Sequence, residues 1–162
     1  MTTISMLLEI NIMETKNRIK YHSYRAAYSR MNLAMKKGFY LEAIAIQESI
    51  ISDRLLSFAI RSNQLVVSHE RLYTISFSKL IKIAAPHFEN EKLVDDLGVF
   101  RLERNNCLHG FVKSFPGKPT IVVTDFMALV IQTAKAGKKL TREIDSWHKK
   151  MKRNGFRIEI NK

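Results

Sequence analysis

Apolar residues recur along this chain at three- and four-residue steps, the period of a helix with one buried face. Tyr21, Tyr24, Tyr28, Met31 and Met35 form the first such run, and Gly38 stands where that helix would stop. The preceding residues are weakly patterned, so residues 1–20 read as a weakly ordered segment. A second run extends from Tyr40 to Arg61. Ile44, Ile51, Leu55 and Phe58 make one face, and Ile46, Ile50 and Ile60 carry apolar character to the other side. A helix apolar nearly all round belongs at the centre of a bundle or at an interface. Residues 62–74 read as a connector, with Val66-Val67 extended. Ser76 or Ser78 then caps a third helix that ends near Pro86.

Asn90 is the expected N-cap of a fourth helix, with Glu91 in its first turn, running to about Lys113. Ser114-Phe115-Pro116-Gly117-Lys118-Pro119 is a loop. A fifth, long helix starts from a cap at Thr124 or Asp125 and reaches Arg153, with Gly137 as a point of interruption. Phe156, Ile158 and Ile160 alternate with polar residues and suggest a short terminal strand. The pattern thus predicts an all-α bundle of four to five helices, one domain over residues 21–155 and a tail at 156–162.

Composition narrows the classes. No apolar run approaches the length of a membrane helix, and the N-terminus lacks the basic start and small-residue site of a signal peptide. The single cysteine, Cys107, excludes an internal disulfide and suits a reducing cytoplasm. The five histidines are scattered without zinc-like spacing, and there is no phosphate-cradling glycine motif. No metal or cofactor is therefore expected. The net charge is +12, and residues 135–162 hold ten Lys/Arg against three Asp/Glu. A basic end of this kind suits a polyanion. Lys138, Lys139, Arg142, Lys149 and Lys150 are the expected RNA contacts.

The candidate chemistry lies in Arg104-Asn105-Asn106-Cys107-Leu108-His109. On a helical wheel, Leu93, Leu97, Phe100, Cys107, Leu108 and Phe111 form one apolar stripe, and Arg104 falls in its middle. A cation in such a stripe needs a partner or a task. Glu48, beside the Ile44–Ile51–Leu55 band of the second helix, is the expected partner, with Asp53 a weaker candidate. Asn105 and His109 share a face, so Asn105 is expected to orient the imidazole. A rival pair, Arg142 and His148, lies among lysines without a flanking asparagine and reads as a solvated basic face.

Arg104-Asn105 and His109, with four residues between arginine and histidine, resemble the motif of the HEPN (higher eukaryotes and prokaryotes nucleotide-binding) domains. The resemblance covers roughly residues 20–153. It implies an all-helical bundle acting as a metal-independent endoribonuclease, with two motifs facing each other in a homodimer. It also implies a toxin–antitoxin, abortive-infection or CRISPR-linked defence setting, with an antitoxin or activator protein as partner. In several toxins of that family a tyrosine two residues after the histidine is modified; Phe111 stands there and cannot be. The expected chemistry is attack by the RNA 2′-hydroxyl, giving a 2′,3′-cyclic phosphate. His109 would move the proton and Arg104 would stabilise the phosphorane-like charge. The alternatives are a catalytically silent module of the same type, binding RNA or a protein, and a structural helical subunit.

Overall fold

The structure, a computed structural model, describes residues 3–110, 112–113, 116–118 and 121–157, with side chains described from Arg18 onward. Among the described residues five α-helices carry the fold: α1 Thr3–Lys37, α2 Tyr40–Arg61, α3 Phe77–Ala84, α4 Glu91–His109 and α5 Val123–Arg153. Two short 3-10 turns, His69–Thr74 and Ala85–His87, flank α3, and no strand occurs among the described residues. The all-α expectation therefore holds. Ile158 and Ile160 lie outside the described residues, as does Phe111. Phe156 itself is buried in a turn with φ of 56°.

The helix α1 begins at Thr3, well before the start that apolar periodicity indicates. Once a helix is nucleated, each added residue gains one hydrogen bond, so a stretch with Leu, Met, Glu and Lys can extend it. Gly38, at φ of 80°, ends α1 and turns the chain back as an antiparallel α1–α2 hairpin. Ser76 caps α3, its hydroxyl accepting from the Lys79 amide at 3.2 Å. Asn90 caps α4 by accepting from the Lys92 amide at 2.9 Å. At α5 the expected cap at Thr124 or Asp125 is not used. The helix starts at Val123 after Val122, and Asp125 sits in its first turn, where a carboxylate favours the helix dipole.

Central placement of α2 matches its all-round apolar character. It packs against α1, α3, α4 and α5. Ile44, Ile51, Leu55 and Phe58 are fully buried, joined by Leu97 and Phe100 of α4 and Val130 and Ile144 of α5. At one end Trp147 meets Phe58 and Phe88 at centroid distances of 4.8 and 4.7 Å, and its indole N–H donates to the His87 carbonyl at 3.1 Å.

Gly137 does not interrupt α5; the helix is continuous through it. Its role is close packing. A Cβ there would lie 2.1 Å from Gln47 Oε1 and 2.5 Å from Phe100 Cε2. Gln47 is itself fully buried and donates to the Ala134 carbonyl at 2.9 Å, tying α2 to α5. Gly137→Ala is therefore expected to destabilise the protein by about 1–3 kcal/mol through overpacking, despite alanine's better helix propensity. Urea denaturation would check this, and a stabilised variant would refute the packing argument.

Candidate functional site

Burial of Leu97, Phe100 and Cys107 against the core fixes the rotation of α4 and turns Arg104 towards α2. There Arg104 Nε donates to Glu48 Oε2 at 2.6 Å, and Nη2 pairs with Oε1 of the same carboxylate. The two side chains are 20% and 18% exposed, so the pair is largely shielded. This is the two-pronged geometry that suits a guanidinium and a carboxylate. Burial pushes the Arg104 pKa down, though an arginine stays charged through such a shift. Of the five guanidinium N–H groups, the Glu48 pair takes two, and a third donates from Nη1 to Asn105 Oδ1 at 2.5 Å.

Two expectations change here. Asn105 serves Arg104, and no bond joins it to His109 among the described residues. Neighbouring residues on a helix diverge by about 100°, but the flexible arginine stem folds back to reach the amide. Asp53 does not approach Arg104. It accepts from the Tyr24 hydroxyl and pairs with Lys20 at 3.0 Å, bracing α1 against α2.

His109 is the last residue of α4 and is exposed. The helix stops four residues earlier than expected. The Gly110 amide donates to the Asn106 carbonyl at 2.8 Å, and a Cβ on residue 110 would lie 2.4 Å from that oxygen. Gly110 is thus required by the helix end. Arg104 and His109 face different ways in one chain, one towards α2 and the other towards solvent. Val99 and Leu102, 53% and 54% exposed, share the outward side of α4 with His109. The adjoining start of α5 exposes Val122, Val123 and Met127.

Cys107, between the two motif residues, points inward and is 3.6 Å from Thr133 Oγ1; that hydroxyl donates to Glu103 at 3.3 Å. Burial raises the thiol pKa, so Cys107 stays protonated and is a poor nucleophile.

The rival pair is not a uniformly solvated face. Arg142 is exposed, but His148 is buried. Its ring lies 5.4 Å from that of Phe156, and it belongs to a shielded charged cluster that the sequence pattern did not reveal. Arg54 pairs with Asp145 at 2.7 Å and stacks over the Tyr24 ring at 3.8 Å, while Lys149 reaches Asp145 at 2.7 Å. A histidine following Trp147 within a lysine-rich run gave no signal, because the turn at Phe156 folds back to cover it. Burial, reinforced by Arg54, lowers the His148 pKa from 6.5 to about 4. Between those values the unfolded chain takes up a proton that the folded chain refuses. Stability is then full above pH 6.5 and falls as pH drops towards 4, by up to about 3 kcal/mol. Urea denaturation of His148→Gln protein should show a flatter pH dependence than wild type over this window; an equal slope would remove His148 as the cause.

Among the expected RNA contacts, Lys139 is held by Glu143 at 3.6 Å, Lys149 by Asp145, and Lys150 by Glu89. Lys138 and Arg142 have no ion pair among the described residues. Two clefts of about 460 and 840 Å³ open between α1 and α2, and neither is lined by Arg104, Asn105 or His109. No group of His, Cys, Asp and Glu suited to a metal ion occurs among the described residues, and no described helix is long and apolar enough to cross a membrane.

The fold and site define an all-α protein with a carboxylate-braced arginine and an exposed histidine on one helix. Comparison with protein-family models, curated proteins and solved structures gives no match for this chain.

Proposed function

We propose that the chain is a metal-independent endoribonuclease of HEPN type. It would work as a homodimer in a toxin–antitoxin or phage-defence system of the cytoplasm, under an antitoxin or activator protein. The observation that carries this reading is the Arg104–Glu48 pair. Glu48 holds the guanidinium by one edge, Asn105 takes one further N–H, and two remain for phosphate oxygens. His109, at the end of the same helix, is free to exchange protons with a substrate.

The divergence of Arg104 and His109 supports a dimeric site. One chain does not aim both groups at one point, whereas two chains would supply two histidines, acid and base, around a shared phosphate. The exposed Val99 and Leu102 beside His109 give such a dimer apolar surface to bury. RNA should be cut in EDTA, leaving 2′,3′-cyclic phosphate and 5′-hydroxyl ends, while DNA of the same sequence stays intact. Light scattering should give twice the chain mass. Cleavage that EDTA abolishes, or that DNA also undergoes, would refute this mechanism.

A second reading is favoured by the same contacts. Glu48 and Asn105 together engage three of the five N–H groups, and Arg104 would then be a structural tie. The protein would be a silent HEPN-like module that binds RNA or a protein partner. Salt-sensitive RNA binding without cleavage, across varied RNAs, would select it.

A further inference from the structure

The seam between α1 and α5 carries charge that the proposed chemistry does not use. Both helices pack on α2 there. Arg54 of α2 links them, stacking on Tyr24 of α1 and pairing with Asp145 of α5. On α5, Lys135, Lys138, Arg142, Lys149 and Arg153 fall within about 60° of one another on the wheel and form a row about 27 Å long. All but Lys138 are exposed, and only Lys149 has a carboxylate partner among the described residues. That partner, Asp145, is already held by Arg54.

The opposite wall repeats the pattern. On α1, Arg18, Arg25 and Lys36 are exposed and fall within about 20° of one another on the wheel. The Arg25 guanidinium lies 5.9 Å over the Tyr21 ring, which is itself 60% exposed. Glu143 and Glu89 are occupied with Lys139 and Lys150, on the next row of α5. Cations on both walls and an exposed aromatic ring are what a sugar–phosphate backbone with unstacked bases requires. The single file of charge matches one strand, and Tyr21 offers a stacking surface that a paired helix cannot use.

We propose that the α1–α5 seam is a binding track for single-stranded RNA, separate from Arg104 and His109. It shares its ligand with the proposed nuclease, but binding does not require cleavage. The test is therefore made on the whole protein with a labelled 2′-O-methyl oligonucleotide, which cannot be cut by 2′-hydroxyl attack. Anisotropy titrations over a salt series should show Lys138→Gln/Arg142→Gln weakening binding and lowering the slope of log K against log salt by about 1.4, at about 0.7 per lost phosphate contact. Tyr21→Ala should weaken binding about fivefold or more. Lys79→Gln/Lys82→Gln, the same charge change on exposed positions of α3, should leave the slope as in wild type. Equal losses in the two double variants would reduce the effect to net charge and overturn the track. So would duplex RNA binding as tightly as the single strand, or seam variants that bind RNA normally while losing affinity for phosphatidylserine vesicles.

Discussion

Replacing His109 with alanine is expected to lower RNA cleavage by about 10²–10⁴-fold, the usual contribution of a positioned general acid or base. Folding should be unaffected. His109 is exposed at the final position of α4, and substitutions at such sites usually change stability by no more than about 0.5 kcal/mol. The variant should therefore melt with wild type, keep its oligomeric mass and still bind RNA. In a dimer with two histidines at one phosphate, mixing wild-type and variant chains adds a further check. If each shared site needs both histidines, activity should fall faster than the fraction of wild-type chains. Cleavage at the wild-type rate by pure His109→Ala protein would end the nuclease assignment to this motif.

Glu48→Ala is expected to damage both stability and cleavage, although Glu48 touches no substrate in the proposed mechanism. It would leave Arg104 without its carboxylate at a position only 20% exposed. Breaking a fully buried pair costs about 3–5 kcal/mol; residual solvent access at this pair reduces the expectation to about 1–3 kcal/mol. Cleavage should fall further than stability explains, because an arginine no longer gripped along one edge loses its orientation towards phosphate. Glu48→Gln keeps one acceptor and should recover part of the loss. Arg104→Lys keeps the charge but not the planar fork, and should not recover cleavage. Adding Arg104→Met to Glu48→Ala should cost less in stability than the two single changes summed, since the orphaned charge is gone. A Glu48→Ala protein as stable as wild type, with additive effects in the double variant, would show that the pair contributes nothing to the fold.

Much of this architecture is legible in the residue pattern. The second helix matches its expected span from Tyr40 to Arg61, and Ser76, Asn90 and Gly38 end or begin helices as their local chemistry indicates. Glu48 could be named as the partner of Arg104 because both stand out against apolar stripes that must face each other. The misses share a cause. The Asn105, Asp53 and His148 expectations each concerned the direction or neighbours of a polar side chain. A polar side chain chooses among partners that several helices bring together, and periodicity on one helix carries no information about them. Gly137 illustrates the same limit. Its sequence context suggested a break, while Gln47 and Phe100, remote in sequence, require the missing Cβ.

By itself the sequence determined the all-α class, the placement of α2 at the centre and the candidacy of Arg104 and His109, because hydrophobic period, capping chemistry and residue type act locally. Only the tertiary structure decided which groups the motif engages. It turned Arg104 inward to Glu48 and left His109 outward at the end of α4. It also buried His148 beneath Phe156. These outcomes depend on how whole helices pack, since a side chain's partners, exposure and charge environment come from neighbours far away in the chain.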